Sequence, residues 1–171
     1  RIIALCMTPF SSRMTTGAYF EKLEAALGEI YPDARPEVLP VNAWYDNPMY
    51  IQALAEKVIQ GLDCFDANLR SQVQVIFTAH SLPAALASQG DPYPEQFHEL
   101  AARVAVAANL SPSQWVAGYQ SAGASGDRWL GPSLDEMIIQ AARQGLQTIL
   151  VAPIGFLTDH VEILYDIDIE A

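Results

Sequence analysis

The amino-acid sequence predicts an α/β fold, in which a parallel sheet is covered by helices on both faces. Short apolar segments alternate along the chain with amphipathic segments of about 10–15 residues, a pattern typical of β–α–β units. Hydrophobic residues make up 51% and charged residues 17% of the 171 residues, as in a globular domain that can bury a core. The longest apolar runs, such as Ile149 to Ile154, are far shorter than the roughly 20 residues that a membrane span needs.

The first third of the chain is expected to alternate between strands and helices. A strand is predicted over Ile2 to Met7 and a helix over Thr15 to Ile30, where apolar residues recur with helical spacing. A short strand is predicted over Glu37 to Val41. Pro48 can open the next helix, whose apolar residues between Ile51 and Leu62 fall on one side.

Six further elements are predicted in the order strand, helix, strand, helix, strand, helix. They cover Val73 to Phe77, Glu95 to Ala108, Trp115 to Tyr119, Ser133 to Gln144, Thr148 to Ile154, and Asp159 to Glu170. The second of these helices carries its own start and stop signals. Ser133 precedes Glu136 by three residues, as in a capping box, and Gly145 is a suitable terminator.

Composition also limits the domain organisation and the cellular setting. Residues 1–68 are predicted to form part of an N-terminal lobe with an inter-lobe segment, and residues 69–171 a C-terminal lobe.

A net charge of −11 argues against a nucleic-acid partner, because a polyanion is repelled. Cys6 and Cys64 are isolated, so this segment indicates neither a disulfide framework nor an iron–sulfur cluster. With no signal peptide visible, we expect a reducing, cytoplasmic setting.

Three loops follow the predicted strands and are the expected location of a ligand site. They span residues 78–94, 120–132 and 155–160. Because the carboxyl ends of parallel strands meet at one edge of a sheet, we expect all three loops to open there. His80 stands in the first loop, directly after a buried strand, where an imidazole can bind Fe²⁺ or carry a proton. A structural histidine that bonds loop backbone is an equally good interpretation at this stage.

The last predicted helix carries an acidic stripe. On a helix with roughly 100° per residue, Asp159, Glu162, Asp166 and Glu170 project within about 80° of one another. A solvated face is the usual explanation of such a stripe, but the remaining positions are mostly apolar, which favours the lining of a cavity. Carboxylates one turn apart can relay protons or a divalent cation. His160 is expected to support this group, either by bonding a carboxylate or by capping the helix.

The second loop holds a tryptophan among glycines and polar residues. Trp129 is either a plug for the core or a flat wall for a flat ligand. The glycines do not form a dinucleotide fingerprint, and no P-loop lysine or nucleophile elbow is present. Nucleotide binding and serine hydrolase chemistry are therefore disfavoured.

Together these loops resemble one family, the ferrochelatases. The motifs that carry the resemblance are TAHSLP at 78–83, GDPYP at 90–94, QS at 120–121, WLGP at 129–132 and DHVEILYD at 159–166, with WYDNP at 44–48 upstream. The order and spacing of the motifs match the family over the whole chain. One departure is Arg128, which stands where many relatives have proline.

The resemblance implies a Rossmann-like, chelatase-type fold with porphyrin held between two lobes, of which this chain holds one lobe and part of the other. It implies insertion of Fe²⁺, as a substrate, into a porphyrin with release of two protons, and no required cofactor. His80 and Glu162 match the metal- and proton-handling pair. Further matches are Ser121 and Trp129 near the porphyrin, and Asp159, His160, Asp166 and Glu170 in an acidic relay.

The resemblance leaves several alternatives open. The polar loop after Gln120 favours coproporphyrin III as substrate, with protoporphyrin IX next. A related chelatase that inserts cobalt or nickel into another tetrapyrrole, and a non-catalytic module that binds haem or iron, are the competing hypotheses. Peripheral contacts with a membrane or with other haem-pathway enzymes also stay open.

Overall fold

The structure is a computed structural model that describes residues 1–123 and 126–170. In the first part of the chain, β1 (Ile2–Leu5), α1 (Ala18–Ile30), β2 (Val38–Val41) and α2 (Pro48–Asp63) follow one another. Then come β3 (Gln74–His80), α3 (Ala84–Ser88), α4 (Tyr93–Ala107), β4 (Trp115–Gln120), α5 (Leu134–Arg143), β5 (Ile149–Ala152) and α6 (Val161–Tyr165). Five-residue π-helical segments precede α1, at Arg13–Gly17, and follow α6, at Asp166–Glu170.

The strands form two parallel sheets. β1 pairs with β2, and β3 lies between β4 and β5 in a second sheet of order β4-β3-β5. In the second sheet His80 lies opposite Gln120, so β3 and β4 end together. The pairings β1–β2, β3–β4 and β3–β5 are parallel, which confirms the predicted α/β fold and puts the loops after β3, β4 and β5 at one edge.

Helices cover both faces of the second sheet. On one face Val75 and Phe77 pack in a core with residues of α2 and α4, among them Val58 and Leu100. On the other face Ile76 packs with Leu134 and Met137 of α5. Alternate residues of β3 thus enter opposite cores, as expected for a strand buried on both faces.

Helix α2 belongs to this second layered unit although it precedes residue 68. Its residues Ala55, Val58 and Leu62 lie in the same core as β3. The predicted division at residue 68 stays a prediction, and this packing favours a division before α2.

Most predicted elements are present, with shifted ends. Ser133 caps α5 with the predicted capping box, in which its hydroxyl accepts from Glu136 N and the Glu136 carboxylate accepts from Ser133 N. The sequence did not predict α3, which lies inside the first loop. The last helix was predicted to begin at Asp159, which is wrong, because α6 begins at Val161 with His160 as its cap.

Among the described residues, no helix has the length and apolar character that crossing a membrane requires.

Candidate active site

The backbone of His80 is held from two sides at the carboxyl end of β3. On one side Ser81 N donates to Gln120 O over 2.7 Å, and the Ser81 hydroxyl donates to Leu130 O over 2.8 Å. On the other side the Tyr93 hydroxyl donates to His80 O over 2.7 Å. Burial raises the pKa of Tyr93 far above its usual value of 10, so this hydroxyl keeps its proton and stays a donor.

The hydrogen bonds of the His80 ring decide which nitrogen carries the proton. Nδ1 lies 2.5 Å from the Ser81 carbonyl oxygen, which can only accept, so Nδ1 carries a hydrogen. The other nitrogen, Nε2, lies 3.3 Å from Glu162 Oε1. In the neutral ring, the Nε2 lone pair therefore faces a carboxylate oxygen. Two acceptors at this distance attract a cation between them, either a proton on one of the two groups or a metal ion.

Glu162 lies in the first turn of α6, at the carboxyl edge of the sheet. His160 caps this helix, with Nδ1 accepting from Ile163 N over 3.5 Å, and the side chain of Ile163 is buried. Capping is thus the supporting role that the structure gives His160. Asp159 precedes the helix and lines an apolar cavity of about 330 Å³ beside Lys57. The prediction that Asp159 shares a helical face with Glu162 is therefore wrong.

Asp166 is held by two residues that follow β4. Its Oδ2 accepts from Gln120 Nε2 over 3.0 Å and from the Ser121 hydroxyl in a short hydrogen bond. Gln120 is buried and its Oε1 in turn accepts from the Thr78 hydroxyl over 2.6 Å. Ser121 adopts a left-handed backbone conformation with φ of 59°, which turns the chain as it leaves the strand.

Two neighbouring cavities meet at Leu130. Ser121, Glu162 and Asp166 line one cavity of about 440 Å³. Trp129 lines the other, an open cavity of about 740 Å³ beside α3, and Leu130 lines both. The half-buried Trp129 ring packs so close to Gly123 that a Cβ there would lie 2.5 Å from it. Trp129 thus lines a cavity and is not among the residues of the two core clusters.

The structure brings the predicted pair His80 and Glu162 together and places Ser121 and Asp166 in the cavity of Glu162. The side chain of Glu170 lies outside the described part of the molecule. Sequence reasoning missed Gln120 and Tyr93 as the residues that hold Asp166 and His80. Both residues lie inside motifs that the sequence displays, QS and GDPYP. The motifs could therefore have indicated these two residues, although the sequence analysis gave neither of them a role.

Within the described residues, no group of three or more His, Cys, Asp or Glu side chains is arranged to hold a metal ion. Among the described residues, the contact at this candidate site joins two side chains, those of His80 and Glu162.

The family model described as Ferrochelatase matches residues 1–171. The chain belongs to the ferrochelatase family. It is 41% identical over 169 residues to a ferrochelatase of Deinococcus radiodurans, and the aligned residues cover 99% of this chain and 53% of that protein. It is 42% identical over 170 residues to a ferrochelatase of Geotalea uraniireducens, with 99% and 51% covered. A coproporphyrin III ferrochelatase of Geobacillus thermodenitrificans is 36% identical over 169 residues, with 98% and 52% covered.

The chain spans about half the length of these curated ferrochelatases. The aligned part contains every candidate residue described above, from His80 to Asp166. Family membership confirms the resemblance that the motifs indicated.

Proposed function

We propose that the protein containing this chain inserts Fe²⁺ into a porphyrin during haem synthesis and that this chain carries the metal-handling groups. The observation that carries the proposal is the contact between His80 Nε2 and Glu162 Oε1, 3.3 Å apart at the edge of the sheet. Both atoms are acceptors in the neutral ring and the carboxylate, so each can take a proton or bind a metal ion.

The reaction needs both of these capacities. Two pyrrole N–H bonds break and release two protons, while the four nitrogens of the macrocycle form bonds to Fe²⁺. Imidazole and carboxylate groups are ordinary ligands for Fe²⁺. A general base within reach of the reacting N–H speeds its removal. His80 and Glu162 together supply a base and a metal ligand next to the plane of a bound macrocycle.

The protons and the ion also need a path away from this pair. Asp166 lies one helical turn beyond Glu162 and lines the same cavity. Gln120 and Ser121 hold its carboxylate at the end of β4. We propose that Asp166, with Glu170 beyond it, relays protons or Fe²⁺ to and from Glu162, and that Asp159 stands near the entrance while His160 fixes the helix.

We propose coproporphyrin III as the porphyrin, with protoporphyrin IX next. The polar loop that follows Gln120 supports this order, and so does the 36% identity to a relative named as a coproporphyrin III ferrochelatase. Ser121 and Trp129 line the cavities that meet at Leu130, and we propose that the macrocycle contacts both. We also propose that the protein is cytoplasmic and needs no resident cofactor. Peripheral contacts with a membrane or with other haem-pathway enzymes belong to the same proposal.

The test is anaerobic metallation by the full-length protein, followed through the absorption spectrum of the porphyrin. Coproporphyrin III, protoporphyrin IX, Fe²⁺, Co²⁺ and Ni²⁺ are compared, and this chain by itself is assayed in parallel. We expect Fe²⁺ insertion, fastest with coproporphyrin III. Insertion of Co²⁺ or Ni²⁺ alone would assign a different chelatase, and porphyrin binding without metallation would assign a non-catalytic module.

His80→Ala tests the site within the same assay. We expect its rate to fall by about 10²–10⁴-fold, the usual contribution of a positioned acid or base. A near-normal rate in His80→Ala would remove His80 from the mechanism while leaving the family intact.

A further inference from the structure

The segment that follows β1 docks on the start of α4. The ring of Phe10 packs edge-on against Tyr93, with centroids 5.2 Å apart, and both side chains are buried. Beside them, Ser11 N donates to the Gln96 side chain over 2.8 Å. The loop after β1 in the first sheet and the loop after β3 in the second are therefore in direct contact.

A buried carboxylate lies at the centre of this contact. Asp91 is only 3% exposed. Its Oδ2 accepts from the Ser12 hydroxyl over 3.0 Å and from Arg13 N over 2.9 Å, and its Oδ1 accepts from Tyr93 N over 3.1 Å. Buried charges are tolerated when donors satisfy them, and here one carboxylate binds three donors from two separate segments.

The third of these donors leads directly to the candidate catalytic histidine. Asp91 fixes the first residue of α4, Tyr93, through its backbone N–H. The hydroxyl of the same residue donates to His80 O. The path from the loop after β1 to His80 therefore consists of Ser12, Asp91 and Tyr93, with a hydrogen bond at every step.

From this path we propose that Asp91 is a positioning residue for His80. Its carboxylate ties the loop after β1 to the loop after β3 and, through Tyr93, holds the backbone from which the His80 ring extends. The inference rests on the proposed function, since it concerns the placement of a group in that reaction. Asp91 itself touches no reacting atom.

The proposal requires a carboxylate at this position, not only a side chain of its shape. In Asp91→Asn one oxygen becomes an NH₂ group, which cannot accept from Ser12 or Arg13. If the NH₂ group replaces Oδ2, the loop after β1 is released, and if it replaces Oδ1, Tyr93 N loses its acceptor. Either outcome loosens His80. Because a displacement of about 1 Å can cost about 10²-fold in rate, we expect kcat to fall by about 10- to 100-fold.

The kinetic test compares Asp91→Asn, Tyr93→Phe and Ser12→Ala with a control in the full-length protein. Asn47→Ala is the control, because Asn47 caps α2 through Met49 N and Tyr50 N and has no part in the path. The three path variants should lower kcat, Tyr93→Phe through loss of its bond to His80, whereas Asn47→Ala should lower Tm alone. Normal kcat in Tyr93→Phe and Ser12→Ala would overturn the proposal even if Asp91→Asn fails to fold.

A second readout does not depend on metallation. The ¹⁵N spectrum of the histidine rings, with His80 assigned through His80→Gln, reports which nitrogen carries the hydrogen. In the wild type we expect hydrogen on Nδ1, facing Ser81 O. We expect a mixture of both forms in Asp91→Asn and Tyr93→Phe, and the wild-type spectrum in Asn47→Ala. An unchanged His80 signal in the folded path variants would refute positioning, whereas a wild type that metallates no porphyrin would refute the proposed function alone.

Discussion

Glu162→Gln separates the chemical role of this carboxylate from any structural one. The substitution keeps the shape of the side chain and removes its charge. Glu162 Oε1 lies 3.3 Å from His80 Nε2, and the two side chains are 49% and 36% exposed. Even as a full ion pair, a contact with this exposure contributes only about 0–1 kcal/mol to the free energy of unfolding. In a domain of about 150–250 residues that corresponds to a shift in Tm of less than about 4 °C.

The effect on the reaction should be far larger. A positioned acid or base contributes about 10²–10⁴-fold to a rate, which corresponds to about 3–5 kcal/mol of transition-state stabilisation. An amide neither accepts the pyrrole protons nor neutralises the charge of Fe²⁺ as a carboxylate does. We therefore expect kcat for Fe²⁺ insertion to fall by about 10²–10⁴-fold in the full-length protein while Tm hardly changes.

The assay measures metallation and thermal unfolding on the same preparations. Glu99→Gln is the matched control. Glu99 is also an exposed carboxylate, in contact with Arg103 and the Tyr45 hydroxyl, and it is not among the residues that line the two cavities of the site. The control should keep its rate. If Glu162→Gln instead loses several degrees in Tm and little activity, the contact with His80 is structural and the reasoning fails.

Two further predictions concern the packing and the pH dependence of stability. In Gly155→Ala the added Cβ would lie 2.5 Å from Cβ and 2.7 Å from Cα of Ala79, so we expect the free energy of unfolding, measured by chemical denaturation, to fall by about 1–3 kcal/mol. In the control Gly28→Ala the added methyl group meets only a movable side chain, so we expect no loss of stability. Equal stability of the two variants would contradict this prediction. Burial lowers the pKa of His98 below its usual value of 6.5, partly offset by Glu95. As the pH falls, the unfolded chain therefore binds a proton at His98 before the folded chain does, so the wild type should lose stability below about pH 6.5. His98→Gln should lose less stability over the same range. Parallel profiles of stability against pH for the two proteins would refute this prediction.

The order of the elements could be predicted from the sequence because each has a local signal. Ser133 caps α5 through its own side chain, and Gly145 has the positive φ, 81°, that a helix terminator needs. The strand ending at His80 is recognisable since its residues are apolar on both faces. Parallel pairing followed from the alternation of strands and helices, and this placed the loops of His80 and Glu162 at the same edge.

What could not be predicted depends on contacts between distant segments. The start of α6 depends on His160, whose ring rather than a shorter side chain caps the helix, and this removed Asp159 from the expected stripe. The orientation of His80 depends on Tyr93, which is brought to it by the packing of α4. Asp91 stood in a recognised motif, but its partners Ser12 and Arg13 lie almost eighty positions earlier in the chain.

In the proposed function, His80 and Glu162 pass a metal ion to the porphyrin rather than store it. His80 and Glu162 offer three donor atoms at most, Nε2 and the two carboxylate oxygens. Because a porphyrin offers four nitrogens in one plane, an ion between these groups gains more ligands by moving into the macrocycle. In the proposed reaction, the lone pair of His80 and the carboxylate of Glu162 face each other again once the protons have left. A site with more protein ligands would bind Fe²⁺ more tightly and release it more slowly.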